Sequence, residues 1–309
     1  MRTVRTVTEL RSALAPDRRT GHTIGLVPTM GALHEGHLSL IRHARAHCDV
    51  VVVSLFVNPS QFDERADLER YPRQEERDGT LAARAGADVL FAPPVEEVYP
   101  AGFATSVEVL GVTERLEGAV RGAAHFRGVS TVVTKLLCMV GPDVAYFGQK
   151  DAQQVVVIRR LVTDLNLPVR VEVCATVREA DGLAMSSRNA LLDPVERERA
   201  RALPAALRAA AALAGAGERS VSALLQAAHE AMAPFEIEPE YVTIVNPDTF
   251  QALDSIEAPA MLVLAARVGA VRLIDNAMLT PAAVHALSAV DTSGSTTSNL
   301  PTGATTCSA

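Results

Sequence analysis

In the stretch PTMGALHEGHLSLI, residues 28–41, two histidines, His34 and His37, stand three residues apart where an apolar run gives way to a helical pattern. A helix begins with unpaired N–H groups and an excess of positive partial charge. Two side chains able to take up a proton are therefore unfavourable there unless they meet an anion. Residues at i and i+3 share one face and repel each other when both are charged. The spacing predicts an anion site, with Gly36 letting a ligand come close to the backbone. A plain turn with two exposed histidines leaves the pairing unexplained.

Three more stretches carry chemistry. GQKDAQQ, residues 148–154, again joins a strand to a helix and gathers Lys150, Asp151, Gln153 and Gln154. It lacks the spacing and the hydroxyl of a GxxxxGK[ST] loop, and Asp151 alone could be a helix N-cap. In READGLAMSSRNALL, residues 178–192, Ser186, Ser187 and Arg188 lie in a loop at an expected domain boundary. Such a loop can close over a triphosphate and stabilise charge developing on it. In FVNPSQF, residues 56–62, Asn58 and Pro59 end a strand, while the Gln61 amide offers a donor and an acceptor to a hydroxylated substrate.

The elements that must position these residues follow from hydrophobic pattern. Short β-branched runs at 23–29, 50–57, 87–94, 143–148 and 169–177 read as buried strands, with helices expected at 36–48, 73–86, 128–140 and 151–165. This β-α alternation predicts an α/β fold with a Rossmann-like, doubly wound parallel sheet, where ligands collect at strand ends and helix starts. From residue 193 the composition turns to Ala, Arg, Glu and Leu, which reads as two helices broken near AGAGERS. Strands at 241–246, 260–268 and 271–279 complete a smaller α+β domain. The expected division is 1–177, 178–290 and a disordered tail, 291–309, that holds almost nothing to bury.

The 309 residues suit two domains. A net charge of -7 argues against a nucleic-acid partner. No run is long and apolar enough for a bilayer, and Cys48, Cys138, Cys174 and Cys307 form no metal or disulfide spacing. A cytoplasmic protein with reduced thiols is expected.

The four stretches, in this order, resemble the pantoate-β-alanine ligases, which share a nucleotide-binding fold with class I aminoacyl-tRNA synthetases. HEGH is similar to that superfamily's HxGH signature and MSSRN to its mobile second signature, and the likeness runs from about residue 24 to about 274. The resemblance implies an ATP-dependent, AMP-forming ligase of pantothenate and coenzyme A biosynthesis, working as a homodimer through a pantoyl adenylate with magnesium. It implies phosphate-handling roles for His34, His37, Lys150, Ser186, Ser187 and Arg188. Met30, Gly148, Asp151, Val177 and Met185 would complete the ATP site. Pro28, Met30, Gln61 and Gln154 would bind pantoate, and Asn58 and Arg121 would face the amine or pyrophosphate; the magnesium ligands stay unassigned. The chain departs from the family pattern at Gln149, Ala152 and the VRGAAHFRGV segment, residues 120–129. Those departures keep open a paralogous ligase that joins a related acid to a different amine.

Overall fold

A computed structural model of the chain describes residues 1–62 and 65–280. Strands β1 (Arg2–Val4), β2 (Ile24–Thr29), β3 (Val50–Leu55), β4 (Val89–Phe91), β5 (Val144–Gly148) and β6 (Arg170–Cys174) form one sheet in the order β1-β4-β3-β2-β5-β6. Every pairing in it is parallel. Helices α1 (Val7–Thr20), α2 (Glu35–His47), α3 (Arg65–Arg70), α4 (Glu75–Ala85), α5 (Val95–Val98), α6 (Glu117–Arg121), α7 (Ala123–Val140) and α8 (Ala152–Asp164) accompany it. The unbroken valines of β3 reflect burial on both faces. Val50 and Val52 join Leu10, Leu137 and Ile158 on one side, while Val51 and Val53 join Ile41 and Ala82 on the other.

The sheet opens where the site lies. β2 pairs with β3 along its whole length, but with β5 only at Gly25↔Val144 and Leu26↔Ala145. β5 continues beside β6 as far as Gly148↔Cys174. The last residues of β2 and β5 therefore diverge, and Pro28, which has no N–H to give a ladder, sits where none is required on that side. This is the point at which the winding of the sheet reverses.

The second unit comprises α9 (Pro194–Ala200), α10 (Ala202–Gly215), α11 (Val221–Met232), β7 (Pro239–Val245), β8 (Ala260–Val268) and β9 (Val271–Leu279). Its three strands form an antiparallel sheet around a core that includes Leu203, Leu224, Ile244 and Leu264. Several contacts join it to the first unit, among them the bonds of Asn276 to Gln149 and Lys150. Ala152 and Val156 pack with Phe250, Met261 and Val263. The Arg272 guanidinium donates two hydrogen bonds to Glu117, each 2.7 Å, and the Tyr241 hydroxyl donates a third at 2.8 Å. Burial pushes the Glu117 carboxyl up, yet Arg272 outweighs burial and holds it below its ordinary value.

Several expectations require correction. Among the described residues the segment after residue 193 holds three α-helices, because Pro204 in the first turn of α10 has no N–H to continue the ladder of α9. The helix expected at 128–140 begins at Ala123, and the strand expected at 87–94 shrinks to Val89–Phe91. β1 and α1 were not anticipated, although α1 carries a capping box: Glu9 N–H donates to Thr6 Oγ1 and Thr6 N–H to the Glu9 carboxylate, both 3.1 Å. The tail at 291–309 lies outside the described residues.

Candidate active site

The loop leaving β2 is held before α2 begins. Asp78 of α4, itself buried, accepts hydrogen bonds from the backbone N–H groups of Ala32 at 2.8 Å and Leu33 at 2.9 Å. Thr29 Oγ1 donates to Ser54 O at 2.7 Å. His34 becomes the N-cap residue of α2. The His34 and His37 rings lie 4.1 Å apart between centroids, and His37 Nδ1 accepts from the His34 backbone N–H at 3.4 Å. A neutral His37 that accepts through Nδ1 carries its proton on Nε2. His34 Nδ1 is buried and has no hydrogen-bond partner among the described residues.

The charge expected of this pair is corrected by its surroundings. Burial, then the nearby His34, lowers His37 to about 3, and burial with Lys150 lowers His34 as well. Both rings are thus neutral near pH 7, each with one ring N–H able to donate at a helix N-terminus. Gly36, which lines the cleft, has a further reason. A Cβ there would stand 2.9 Å from His34 Cε1, so the missing side chain makes room for the imidazole.

β5 delivers the second group. Lys150 and Asp151 occupy a single turn, Gln149–Asp151, with Lys150 Nζ 3.7 Å from the Asp151 carboxylate. Asp151 stands at the N-cap position of α8, but its side chain makes no capping bond. The glutamines divide their work. Gln153 is buried and ties α8 to the α6 segment through Glu117 N, Val112 O and Arg115 O, whereas Gln154 faces the cleft.

In the third group, Asn189 anchors the loop by donating to Glu179 at 2.6 Å and Ala184 O at 3.1 Å. Ser186 Oγ accepts from the Arg188 N–H at 3.2 Å. Ser187 and Arg188 stay at the mouth of the cleft, with Arg188 exposed. In the fourth, every polar atom of the Asn58 side chain is engaged: its amide donates to Gln61 Oε1 and Gly128 O, and Oδ1 accepts from Ser60 and Tyr99. Asn58 acts by holding Gln61, whose own amide donates to Met30 Sδ at 2.9 Å.

All the residues singled out in the sequence for ligand contact meet around one cleft made of two abutting cavities, about 220 and 340 Å³. The first is lined by Pro28, Met30, Asn58, Gly148, Val177 and Met185, and by an apolar wall of Val129, Val132, Val133 and Leu136 from α7. The second is lined by Arg121, Ser186, Ser187 and Arg188. His34, His37, Gln61, Lys150, Asp151 and Gln154 border both. Sequence reasoning missed Tyr71, His125, Asp275 and Asn276, which also line the cleft. The last two carried a signal, since an acid and an amide interrupt an apolar strand. Gln149 lines neither cavity; it turns toward Asn276 and Met261.

Residues 2–278 match the model of the Pantoate-beta-alanine ligase family. The chain belongs to that family. Among curated members it is 52% identical over 280 residues to the pantothenate synthetase of Moorella thermoacetica, covering 90% of this chain and 99% of that one. It is likewise 52% identical over 273 residues to the enzyme of Cereibacter sphaeroides, covering 88% and 98%. Family members of known structure agree with the fold. The Thermus thermophilus enzyme matches with a TM-score of 0.85 at 49% identity, over 91% of this chain and 100% of that one. The Francisella tularensis ligase, complexed with β-γ ATP and β-alanine, matches with a TM-score of 0.73 at 35% identity, over 90% and 97%.

Proposed function

We propose that the residues of the cleft divide the family reaction between them as follows. As a Pantoate-beta-alanine ligase the protein uses ATP to join pantoate and β-alanine through a carbon-nitrogen bond, releasing AMP and pyrophosphate. A pantoate carboxylate oxygen attacks the α-phosphorus, the bond to pyrophosphate breaks, and a mixed anhydride forms. The amine of β-alanine then attacks the acyl carbon, the carbon-oxygen bond to AMP breaks, and the surplus proton leaves with water. His34 and His37 donate hydrogen bonds to the phosphates, and Lys150 and Arg188 neutralise charge that builds up on them. Ser186 and Ser187 add hydroxyl donors as the loop closes. Gly148, Asp151, Val177 and Met185 hold the nucleoside, while Gln61 and Gln154 bind the pantoate hydroxyls beside Met30, Pro28 and the apolar wall. Arg121 faces the amine or pyrophosphate side.

The observation that carries this reading is the convergence of four separate stretches on one cleft at the reversal point of the sheet. A different amine is not favoured, because relatives of about 50% identity are pantothenate synthetases. Magnesium enters as MgATP, with phosphate oxygens and water supplying its ligands. Among the described residues no three His, Cys, Asp or Glu side chains cluster as a resident metal site. We place the division between domains at Val177 and Arg178. A cytoplasmic homodimer is the working form we propose; the exposed apolar side chains of Leu110 and Val120 support a contact between copies, and no described helix is long and apolar enough to cross a membrane.

The test is product analysis by mass after incubating purified protein with MgATP, pantoate and β-alanine. Equal yields of pantothenate, AMP and pyrophosphate are expected. An adenylate that β-alanine does not consume, or no pyrophosphate at all, would refute the assignment; sedimentation of the same sample at twice the chain mass checks the dimer.

A further inference from the structure

We infer that Asn276, contributed by β9 of the second unit, positions Lys150 for phosphate transfer, an inference that rests on the role given to Lys150 above. Both N–H groups of the Asn276 amide donate to backbone carbonyls of the turn that carries the lysine, Gln149 O at 2.9 Å and Lys150 O at 3.0 Å. In return Asn276 Oδ1 accepts from Gln149 Nε2 at 3.4 Å. That turn lies just past Gly148, where the ladder to β6 ends, so the sheet no longer fixes its carbonyls. A side chain that is only 4% exposed supplies the missing donors.

Asn276 is itself held in place. Its backbone N–H donates to Asp275 Oδ1 at 2.8 Å, and the Asp275 carboxylate accepts two bonds from Arg178, at 2.6 and 3.1 Å. Arg178 opens the segment that leads into Ser186 and Arg188. Two consecutive residues of β9 thus connect the Lys150 turn with the start of the serine-arginine loop. Asn276 is a positioning residue: its amide is spent on carbonyls, and it acts through the lysine.

A double-variant cycle tests this, using the full chain. Catalysis that depends on placement falls steeply when a group moves by about 1 Å. Asn276→Ala and Asn276→Asp should each lower kcat by about ten- to a hundredfold, while KM for β-alanine changes by less than about twofold. In a Lys150→Met background the same changes should cost less than about threefold further, since the group being positioned is gone. Equal losses in both backgrounds would overturn the inference. Asn276→Ser removes less of the polar contact and replaces any variant that fails to melt cooperatively; failure of all three to fold would also overturn it, making Asn276 a core residue. If the unaltered enzyme makes no pantothenate, the reading of the cleft fails. If it does, the cycle decides the role of Asn276 alone.

Discussion

Acidification should destabilise this protein through His37. The folded ring titrates at about 3 and the unfolded one near 6.5, so between those values the unfolded chain binds more protons. A depressed histidine contributes stability that is present above its unfolded value and is lost as the pH falls below it. Each pH unit in that interval is worth about 1.4 kcal/mol, so moving from pH 7.5 to pH 5.0 should remove about 2 kcal/mol through this ring. His37→Asn keeps an acceptor for the His34 N–H and removes the titration. Urea unfolding followed by circular dichroism at both pH values gives the comparison. The variant will be less stable at pH 7.5, but it should lose about 2 kcal/mol less than the unaltered protein on acidification. Equal losses in the two proteins would refute the idea that burial keeps His37 neutral.

Other expectations follow from the same geometry. An anion beside the two rings raises both from their lowered values, so MgATP binding at pH 6 should take up protons, seen by calorimetry in buffers of different ionisation enthalpy. Among the described residues, none beyond its two chain neighbours comes within 4 Å of where a Cβ on Gly148 would stand, and its φ of -82° suits any residue. Gly148→Ala should therefore melt like the parent yet raise KM for ATP by about ten- to a hundredfold, through about 1–3 kcal/mol of crowding in the cleft. Arg188→Ala removes an exposed side chain and should leave thermal stability unchanged while lowering the rate of pyrophosphate release by on the order of a hundredfold. Glu117→Ala leaves Arg272 with Glu240 alone and should cost about 3 kcal/mol in urea unfolding. The part of that contribution linked to ionisation of Glu117 is present above the ordinary glutamate value and is lost as the pH falls through the lower folded value.

What could be read from the sequence was whatever follows from local pattern. The valine runs announced buried parallel strands, and the bounds of β8 and β9 coincide with the runs that signalled them. The candidate stretches stood out because polar residues gathered at the ends of apolar runs, where an α/β sheet binds ligands. What stayed hidden depends on contacts distant in sequence. Asp78 reaches the loop before His34 from 45 residues away, and Asn276 reaches Lys150 O from 126. The charge of the histidines also eluded local reasoning, because it is set by burial and by the nearby charge of Lys150. Gly36 was noticed for the room it leaves a ligand; that it also makes room for the His34 ring was not legible. α1 was overlooked although its Thr6 and Glu9 spell out a capping box.

The most direct measurement follows the oxygen atoms of pantoate. With pantoate carrying oxygen-18 in its carboxylate, attack on the α-phosphorus predicts one labelled oxygen in the AMP and none in the pyrophosphate, read by mass spectrometry. Label in pyrophosphate or inorganic phosphate, or unlabelled AMP, would contradict a cleft built around transfer at the α-phosphate.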